Sequence, residues 1–136
     1  MTVVFDTSFV VDFYDQDAPR HAELARWYLA ADEDFFTSPL AVAEMDHLVP
    51  RRGGHVAQQS LWRDFDQGAW QVRWWADAMT ETLAIARRRP EIGLVDASLV
   101  ALAARLRTDR IATRDKHFRT LQTSDGKPFT ILPADA

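Results

Sequence analysis

Short, mainly apolar runs alternate along the chain with longer segments in which apolar residues recur at helical spacing. The short runs predict buried strands of a parallel sheet. They cover residues 3–5, 35–37, 110–113 and 129–132, and residues 70–74 alternate weakly as a strand or an extended link. Helical patterns cover residues 7–14, 19–31, 39–49, 55–67, 77–89 and 94–107, with a helical turn over 115–121. Strands that alternate with helices predict an α/β fold with a parallel sheet.

Proline and glycine set the expected helix boundaries. Pro19 suits a first helical position, and Ser38-Pro39 predicts the start of the next helix. That helix is expected to end at Val49, because Pro50 and the pair Gly53-Gly54 follow it. A length of 136 residues predicts one domain over 1–136, large enough for a single hydrophobic core.

Four acidic residues lie where apolar segments turn polar. Asp6 follows the apolar run 3–5, and Asp115 comes shortly after the strand pattern over 110–113. In parallel α/β folds, ligands bind beyond the carboxyl ends of the strands. Asp6 and Asp115 are therefore expected at a binding edge. Each also suits a helix N-cap, and Thr7-Ser8 could cap the first helix in place of Asp6.

Glu44 and Asp96 lie inside otherwise apolar arcs of two predicted helices. At about 100° per residue, Glu44 falls between Leu40 and Leu48, and Asp96 falls between Val100 and Ala103. A carboxylate in an apolar arc is costly unless it is paired or binds a metal. Each acid also has a structural explanation. Glu44 could pack its apolar stem while its carboxylate reaches water, and Asp96 could be stabilised by the helix dipole in the first turn.

Charge is distributed unevenly. Residues 1–50 hold ten acids against two arginines, whereas residues 87–119 hold nine bases against four acids. An acidic half beside a basic half suits a metal site bordered by a surface that binds phosphates, although a solvated helix face explains the basic segment equally well. An all-oxygen set of carboxylates selects hard cations, so Mg²⁺ or Mn²⁺ is expected.

Composition excludes other chemistries. The chain has no cysteine, which excludes disulfides, zinc thiolates and thiol nucleophiles. Its four histidines lack zinc-type spacing, it has no glycine-rich phosphate loop, and Ser8 and Ser98 lack a nucleophile elbow. Without a signal peptide pattern or an apolar run of membrane-spanning length, a cytoplasmic protein is expected.

Four segments together resemble the PIN-domain family, and more narrowly the VapC toxins of type II toxin–antitoxin systems. The segments are Phe5-Asp6-Thr7-Ser8, Ala43-Glu44-Met45-Asp46, Gly93-Leu94-Val95-Asp96-Ala97 and Thr113-Arg114-Asp115-Lys116-His117-Phe118. The resemblance covers nearly the whole chain. It implies a three-layer α/β/α sandwich with a central parallel sheet.

The resemblance also implies a function. The chain is expected to be a Mg²⁺-dependent endoribonuclease that cleaves tRNA or the sarcin–ricin loop of 23S rRNA. Its catalytic and metal-binding residues would be Asp6, Glu44, Asp96 and Asp115. A cognate antitoxin of the VapB type and a toxin homodimer are the implied partners. Expected contacts to RNA are Thr7, Thr113, Arg114, Lys116 and Arg119.

Three other functions compete with the toxin. A PIN nuclease of RNA maturation fits the sequence equally well. A receiver-like phosphoacceptor module is disfavoured, because the first strand is not followed by an acidic pair and no lone lysine follows a late strand. A phosphatase of the haloacid dehalogenase type needs an aspartate two residues after the first, and Ser8 occupies that position.

Overall fold

The computed structural model describes all residues from 1 to 136. Five parallel strands form one sheet in the order β3-β2-β1-β4-β5. They are β1 (Thr2–Phe5), β2 (Asp34–Thr37), β3 (Gln71–Val72), β4 (Arg110–Ala112) and β5 (Thr130–Leu132). The helices are α1 (Thr7–Tyr14), α2 (His21–Ala30), α3 (Pro39–Asp66), α4 (Ala78–Arg88) and α5 (Gly93–Leu106), with 3₁₀ turns at Pro90–Ile92 and Lys116–Thr120. The helices flank the central sheet, so the predicted three-layer α/β/α sandwich is confirmed.

The core forms because the central strands are apolar along their length. Val3, Val4 and Phe5 of β1 are fully buried, as parallel strands covered on both faces require. Phe5 packs against Phe9 and Trp70, with ring centroids 6.3 and 4.9 Å away. The aromatic cluster fixes α1 against the sheet and therefore fixes the residues at the junction between β1 and α1.

Strand register places two chain segments side by side. Phe5 of β1 pairs with Ala112 of β4, and the N–H of Asp6 donates to the carbonyl of Ala112 over 3.2 Å. Asp6 and Thr113 therefore leave the sheet at the same carboxyl edge. The sequence prediction that Asp6 lies at this edge agrees with the structure.

Two predicted helix boundaries were wrong. The second helix begins at His21, two residues after Pro19. The third helix does not end at Val49: Pro50 lies inside it, and the helix changes direction only at Gly54, whose φ is +71°. Glycine reaches a positive φ without the steric cost that a Cβ imposes, so the first helical segment of α3 ends there. A second segment runs to Asp66, which agrees with the separate helix predicted over 55–67.

No helix of the structure combines the length and apolar character needed to cross a bilayer.

Candidate active site

Asp6 is a buried carboxylate held by three hydrogen bonds. It is the N-cap of α1, and its Oδ1 accepts from the N–H of Phe9 over 3.1 Å and from the hydroxyl of Ser8 over 2.7 Å. The hydroxyl of Thr113 donates to the other oxygen, Oδ2. Asp6 therefore caps the helix itself; the sequence alternative, in which Thr7-Ser8 replace it, is not what forms.

Burial changes the acidity of Asp6. Loss of solvent raises its pKa to about 7, although the hydrogen bonds from Thr113, Ser8 and Phe9 each lower it. The negative charge of Asp115 raises it further. A carboxyl group that titrates near neutral pH is common at functional sites, where burial is tolerated for chemistry.

Two hydroxyl groups connect Asp6 to the loop after β4. Ser8 Oγ accepts the N–H of Arg114 over 2.9 Å, and Thr113 Oγ1 accepts the N–H of Asp115 over 2.9 Å. Each hydroxyl thus donates to the Asp6 carboxylate and accepts from the loop. This network sets the position of Asp115 relative to Asp6.

Asp96 lies in the first turn of α5, where it contacts His117. Nε2 of His117 is 2.6 Å from Oδ2 of Asp96. Burial raises the pKa of Asp96, the neighbouring His117 lowers it, and the charges of Asp115 and Glu44 raise it. Three of the predicted acids are therefore close enough to influence one another electrostatically.

All four acids line one cavity of about 390 Å³ at the carboxyl edge of the sheet. Thr7 and Arg114 also line it. Thr113 does not line the cavity, but its hydroxyl donates to Asp6, which does. Lys116 and Arg119 do not line it, and Arg119 donates two hydrogen bonds to Asp135 instead. The complete lining is Asp6, Thr7, Ser8, Val11, Glu44, Leu48, Arg51, Arg52, Asp96, Arg114 and Asp115.

The donor atoms of this cavity suit a hard divalent cation. Carboxylate oxygens are the ligands that Mg²⁺ and Mn²⁺ prefer, and a cation would offset the charge of four clustered acids. No three acidic or histidine side chains are arranged to hold an ion as they stand. Asp6 accepts from two hydroxyl groups, and Asp96 contacts His117. An ionised carboxylate has about four acceptor sites, so both acids keep sites for a cation, and the chemistry of the residues fits one.

Four residues of this region were not predicted from the sequence. Arg51 and Arg52 line the cavity, and the signal for them was their helical spacing from Glu44, seven and eight residues on. The sequence predicts Ser8 only as an alternative cap of the first helix and gives His117 no role in the site. Their contacts with Asp96 and Asp6 depend on tertiary packing, for which the sequence carries no periodic signal.

A central parallel sheet between helical layers, with acidic residues at its carboxyl edge, defines an α/β protein with a carboxylate-lined site. Comparison with known proteins agrees with this fold. The model of the PIN domain family matches residues 3–123. Ribonuclease VapC26 of Mycobacterium tuberculosis (strain ATCC 25618 / H37Rv) is 33% identical over 135 residues, spanning 96% of this chain and all of that protein. The chain therefore belongs to the PIN-domain family, and its VapC type, predicted from four short motifs, is confirmed.

A solved structure supports the same fold. The crystal structure of M. tuberculosis VapC20, described as a sarcin–ricin loop cleaving toxin, superposes with a TM-score of 0.80 at 22% identity. The match covers 93% of this chain and 99% of VapC20. Membership of the PIN family also argues against the receiver-like alternative.

Proposed function

We propose that this chain is a metal-dependent endoribonuclease toxin of the VapC type. The observation that supports it most strongly is the cavity in which Asp6, Glu44, Asp96 and Asp115 come together. These residues lie on four separate chain segments, and only the fold brings them to one place. A relative that matches nearly the full chain is named a ribonuclease.

The reaction would be hydrolysis of a phosphodiester bond. Water adds to phosphorus, the bond from phosphorus to the 3′ oxygen breaks, and that oxygen takes up a proton. The products carry a 5′-phosphate and a 3′-hydroxyl. No side chain of the cavity needs to become covalently bound to the RNA, which agrees with the lack of a nucleophile motif.

We assign Asp6, Asp96 and Asp115 to holding the metal, and Glu44 either to completing this set or to orienting the attacking water. A bound Mg²⁺ or Mn²⁺ would supply activation of water and stabilisation of the leaving oxygen. Thr113 and Ser8 hold the Asp6 carboxylate in place. Asp6, with a pKa of about 7, is ionised in a growing fraction of molecules as the pH rises through neutrality.

We expect the substrate to be a structured RNA, either tRNA or the sarcin–ricin loop of 23S rRNA. VapC20, whose fold this chain shares, is described as cleaving the sarcin–ricin loop. A hairpin that carries the sarcin–ricin loop is therefore the first substrate to test.

We also propose a cognate antitoxin of the VapB type and a toxin homodimer as protein partners. The second half of α3 exposes Val56 and Trp62, with 77% and 46% of their surface accessible. Apolar residues exposed on one helix are typical of surfaces that bind other proteins.

Expression of the chain in a bacterial host without an antitoxin tests this function. The wild-type protein is expected to arrest growth, and Asp6→Ala or Asp96→Ala is expected to relieve the arrest. Arg26→Gln, which changes an exposed arginine of α2 outside the cavity, is the matched control and should remain toxic. Arrest by soluble Asp96→Ala protein would contradict the proposal. A small antitoxin gene beside this gene would distinguish a toxin from a nuclease of RNA maturation.

A further inference from the structure

Two arginines that line the acidic cavity are each paired with an acid from the end of α1. Arg114 Nη1 lies 3.4 Å from Oδ1 of Asp12, and Arg52 Nε donates to Oδ2 of Asp15 over 3.0 Å. Arg114 comes from the loop after β4, whereas Arg52 comes from α3. One short segment of the chain therefore positions cations from two distant elements at the same cavity.

The acids of these pairs are buried, but the arginines are not. Asp12 is 4% exposed and Asp15 is 8% exposed, whereas the arginine side chains are about half exposed, at 48% for Arg114 and 45% for Arg52. Asp12 Oδ1 has no hydrogen bond and only the ion pair for compensation. Burying a carboxylate against a half-solvated cation is a poor source of stability, which points to a purpose other than folding.

The arginines keep donors available. Arg52 uses only Nε in its bond to Asp15, so both of its terminal nitrogens remain for another ligand. Arg51, the next residue on α3, lines the cavity and forms no ion pair within the chain. Guanidinium groups with free terminal nitrogens suit the oxygens of a phosphate group.

A close helix contact makes the pairing between Arg52 and Asp15 possible. At Gly53, an added Cβ would lie 3.0 Å from the carbonyl oxygen of Tyr14, at the end of α1. Glycine at this position therefore lets α3 approach α1 closely. Arg52 and Asp15 are the residues next to this contact on each helix.

We infer that Arg51, Arg52 and Arg114 form a phosphate-binding rim around the acidic cavity, and that Asp12 and Asp15 are positioning residues for it. The rim would hold the backbone phosphates of RNA on either side of the bond that is cut, so the inference rests on the proposed function. The expected ligand is the RNA backbone, because the cavity beneath the rim is suited to a phosphodiester. A protein ligand that presents carboxylates is the competing outcome.

Equilibrium binding of a fluorescein-labelled sarcin–ricin-loop hairpin in EDTA tests the rim without cleavage. Each of Arg51→Gln, Arg52→Gln and Arg114→Gln should weaken binding by about 3- to 10-fold. Each should also reduce the slope of log Kd against log salt concentration by about 0.7–0.9, the effect of one lost phosphate contact. Arg26→Gln, which changes an exposed arginine of α2 outside the cavity lining, is the matched control and should change neither quantity.

A double-mutant cycle separates positioning from folding. Asp12→Asn should weaken RNA binding in the wild type but have little further effect in the Arg114→Gln background, and Asp15→Asn should behave likewise with Arg52→Gln. In cleavage assays, both substitutions should raise KM and leave kcat nearly unchanged. Glu23→Gln removes the Arg20–Glu23 pair, which does not line the cavity, and should leave KM unchanged. Additive losses in the cycle would assign the two acids a purely structural role and overturn this part of the inference.

The results distinguish failure of the rim from failure of the proposed function. Rim variants that bind the hairpin with wild-type affinity and salt slope would overturn the rim, even when the wild-type protein cleaves RNA. Loss of hairpin binding in those variants, in a protein that cleaves no RNA, would support the rim and contradict the nuclease. Variants that lose binding to an acidic peptide but keep RNA affinity would show that the rim serves a protein ligand and would overturn it as well.

Discussion

Nε2 of His117 lies 2.6 Å from Oδ2 of Asp96, and this contact joins the 3₁₀ turn after β4 to the first turn of α5. The imidazole also stacks on Phe118, a fully buried ring, with centroids 4.8 Å apart. His117 is therefore held on one side by the core and directs its nitrogen at the carboxylate. Asp96 is restrained by a neighbour that the sequence does not predict.

Replacement of His117 is expected to weaken metal binding. A hydrogen-bonded neighbour keeps a ligating carboxylate in a fixed orientation, and loss of such neighbours typically costs about 10- to 100-fold in metal affinity. Titration calorimetry with Mn²⁺ should show a drop of about tenfold or more for His117→Asn. His47→Asn, on the exposed face of α3, is the control. Equal Mn²⁺ affinity in all three proteins would show that His117 does not orient Asp96.

Asp6→Asn is expected to stabilise the metal-free protein at and above neutral pH. The folded-state pKa of about 7 lies above the ordinary value of 3.8, so the folded state keeps a proton that the unfolded state loses. Wild-type stability should therefore fall as the pH rises from about 4 to about 7, and then level off. The asparagine variant does not titrate and therefore keeps this part of its free energy of unfolding. The difference is at most about 4 kcal/mol, at 1.36 kcal/mol per pKa unit.

Urea unfolding in EDTA at several pH values measures this difference. The difference in free energy of unfolding between variant and wild type should be small near pH 4 and largest above pH 7. Added Mg²⁺ should stabilise the wild type and not the variant, because only the ionised carboxylate attracts the cation. A gap that does not change with pH would mean that Asp6 titrates normally.

Thr113 is expected to lower the pKa of Asp6 more strongly than Ser8 does. The hydrogen bond from Thr113 is the largest influence that lowers the pKa of Asp6, followed by that from Ser8. Thr113→Val should therefore raise this pKa above about 7, and Ser8→Ala should raise it by less. Carbon-13 NMR titration of the aspartate carboxyl groups in metal-free protein reports the change. Thr113→Ser keeps the hydroxyl group and should titrate like the wild type; a shift in that variant would assign the effect to packing.

Gly53→Ala is expected to separate α1 from α3. An added Cβ would lie 3.0 Å from the carbonyl oxygen of Tyr14 and 2.4 Å from the Cβ of Ala57, so the helices would have to move. Overpacking of this kind costs about 1–3 kcal/mol, which thermal unfolding detects as a lower Tm. The double variant Gly53→Ala/Ala57→Gly relieves the shorter contact and should recover part of the loss. An unchanged Tm in the single variant would show that the contact is not close.

The order of the strands and helices was predictable because the chain repeats a simple pattern. The apolar run Val3–Phe5 and the helical spacing around Glu44 and Asp96 each follow from local periodicity, and the four acids could be recognised at the boundaries of that pattern. The continuation of α3 through Pro50 was not predictable, because tertiary packing holds together a helix that local preference would end.

The partners of individual side chains could not be predicted from the sequence. His117 and Asp96 are 21 residues apart, and Ser8 and Arg114 are 106 residues apart. Nothing in the local pattern of either segment indicates its partner. The pairing of Arg114 with Asp12 is of the same kind, so the rim around the cavity became visible only in the folded structure.

Cleavage of a sarcin–ricin-loop hairpin by the purified protein, with the product ends identified, is the direct test of a metal-dependent nuclease. We expect cleavage in Mg²⁺ that EDTA abolishes, products with a 5′-phosphate and a 3′-hydroxyl, and no cleavage by Asp96→Asn. Transfer RNA in place of the hairpin tests the second substrate in the same way. Full activity in excess EDTA, or products that end in a cyclic phosphate, would contradict it.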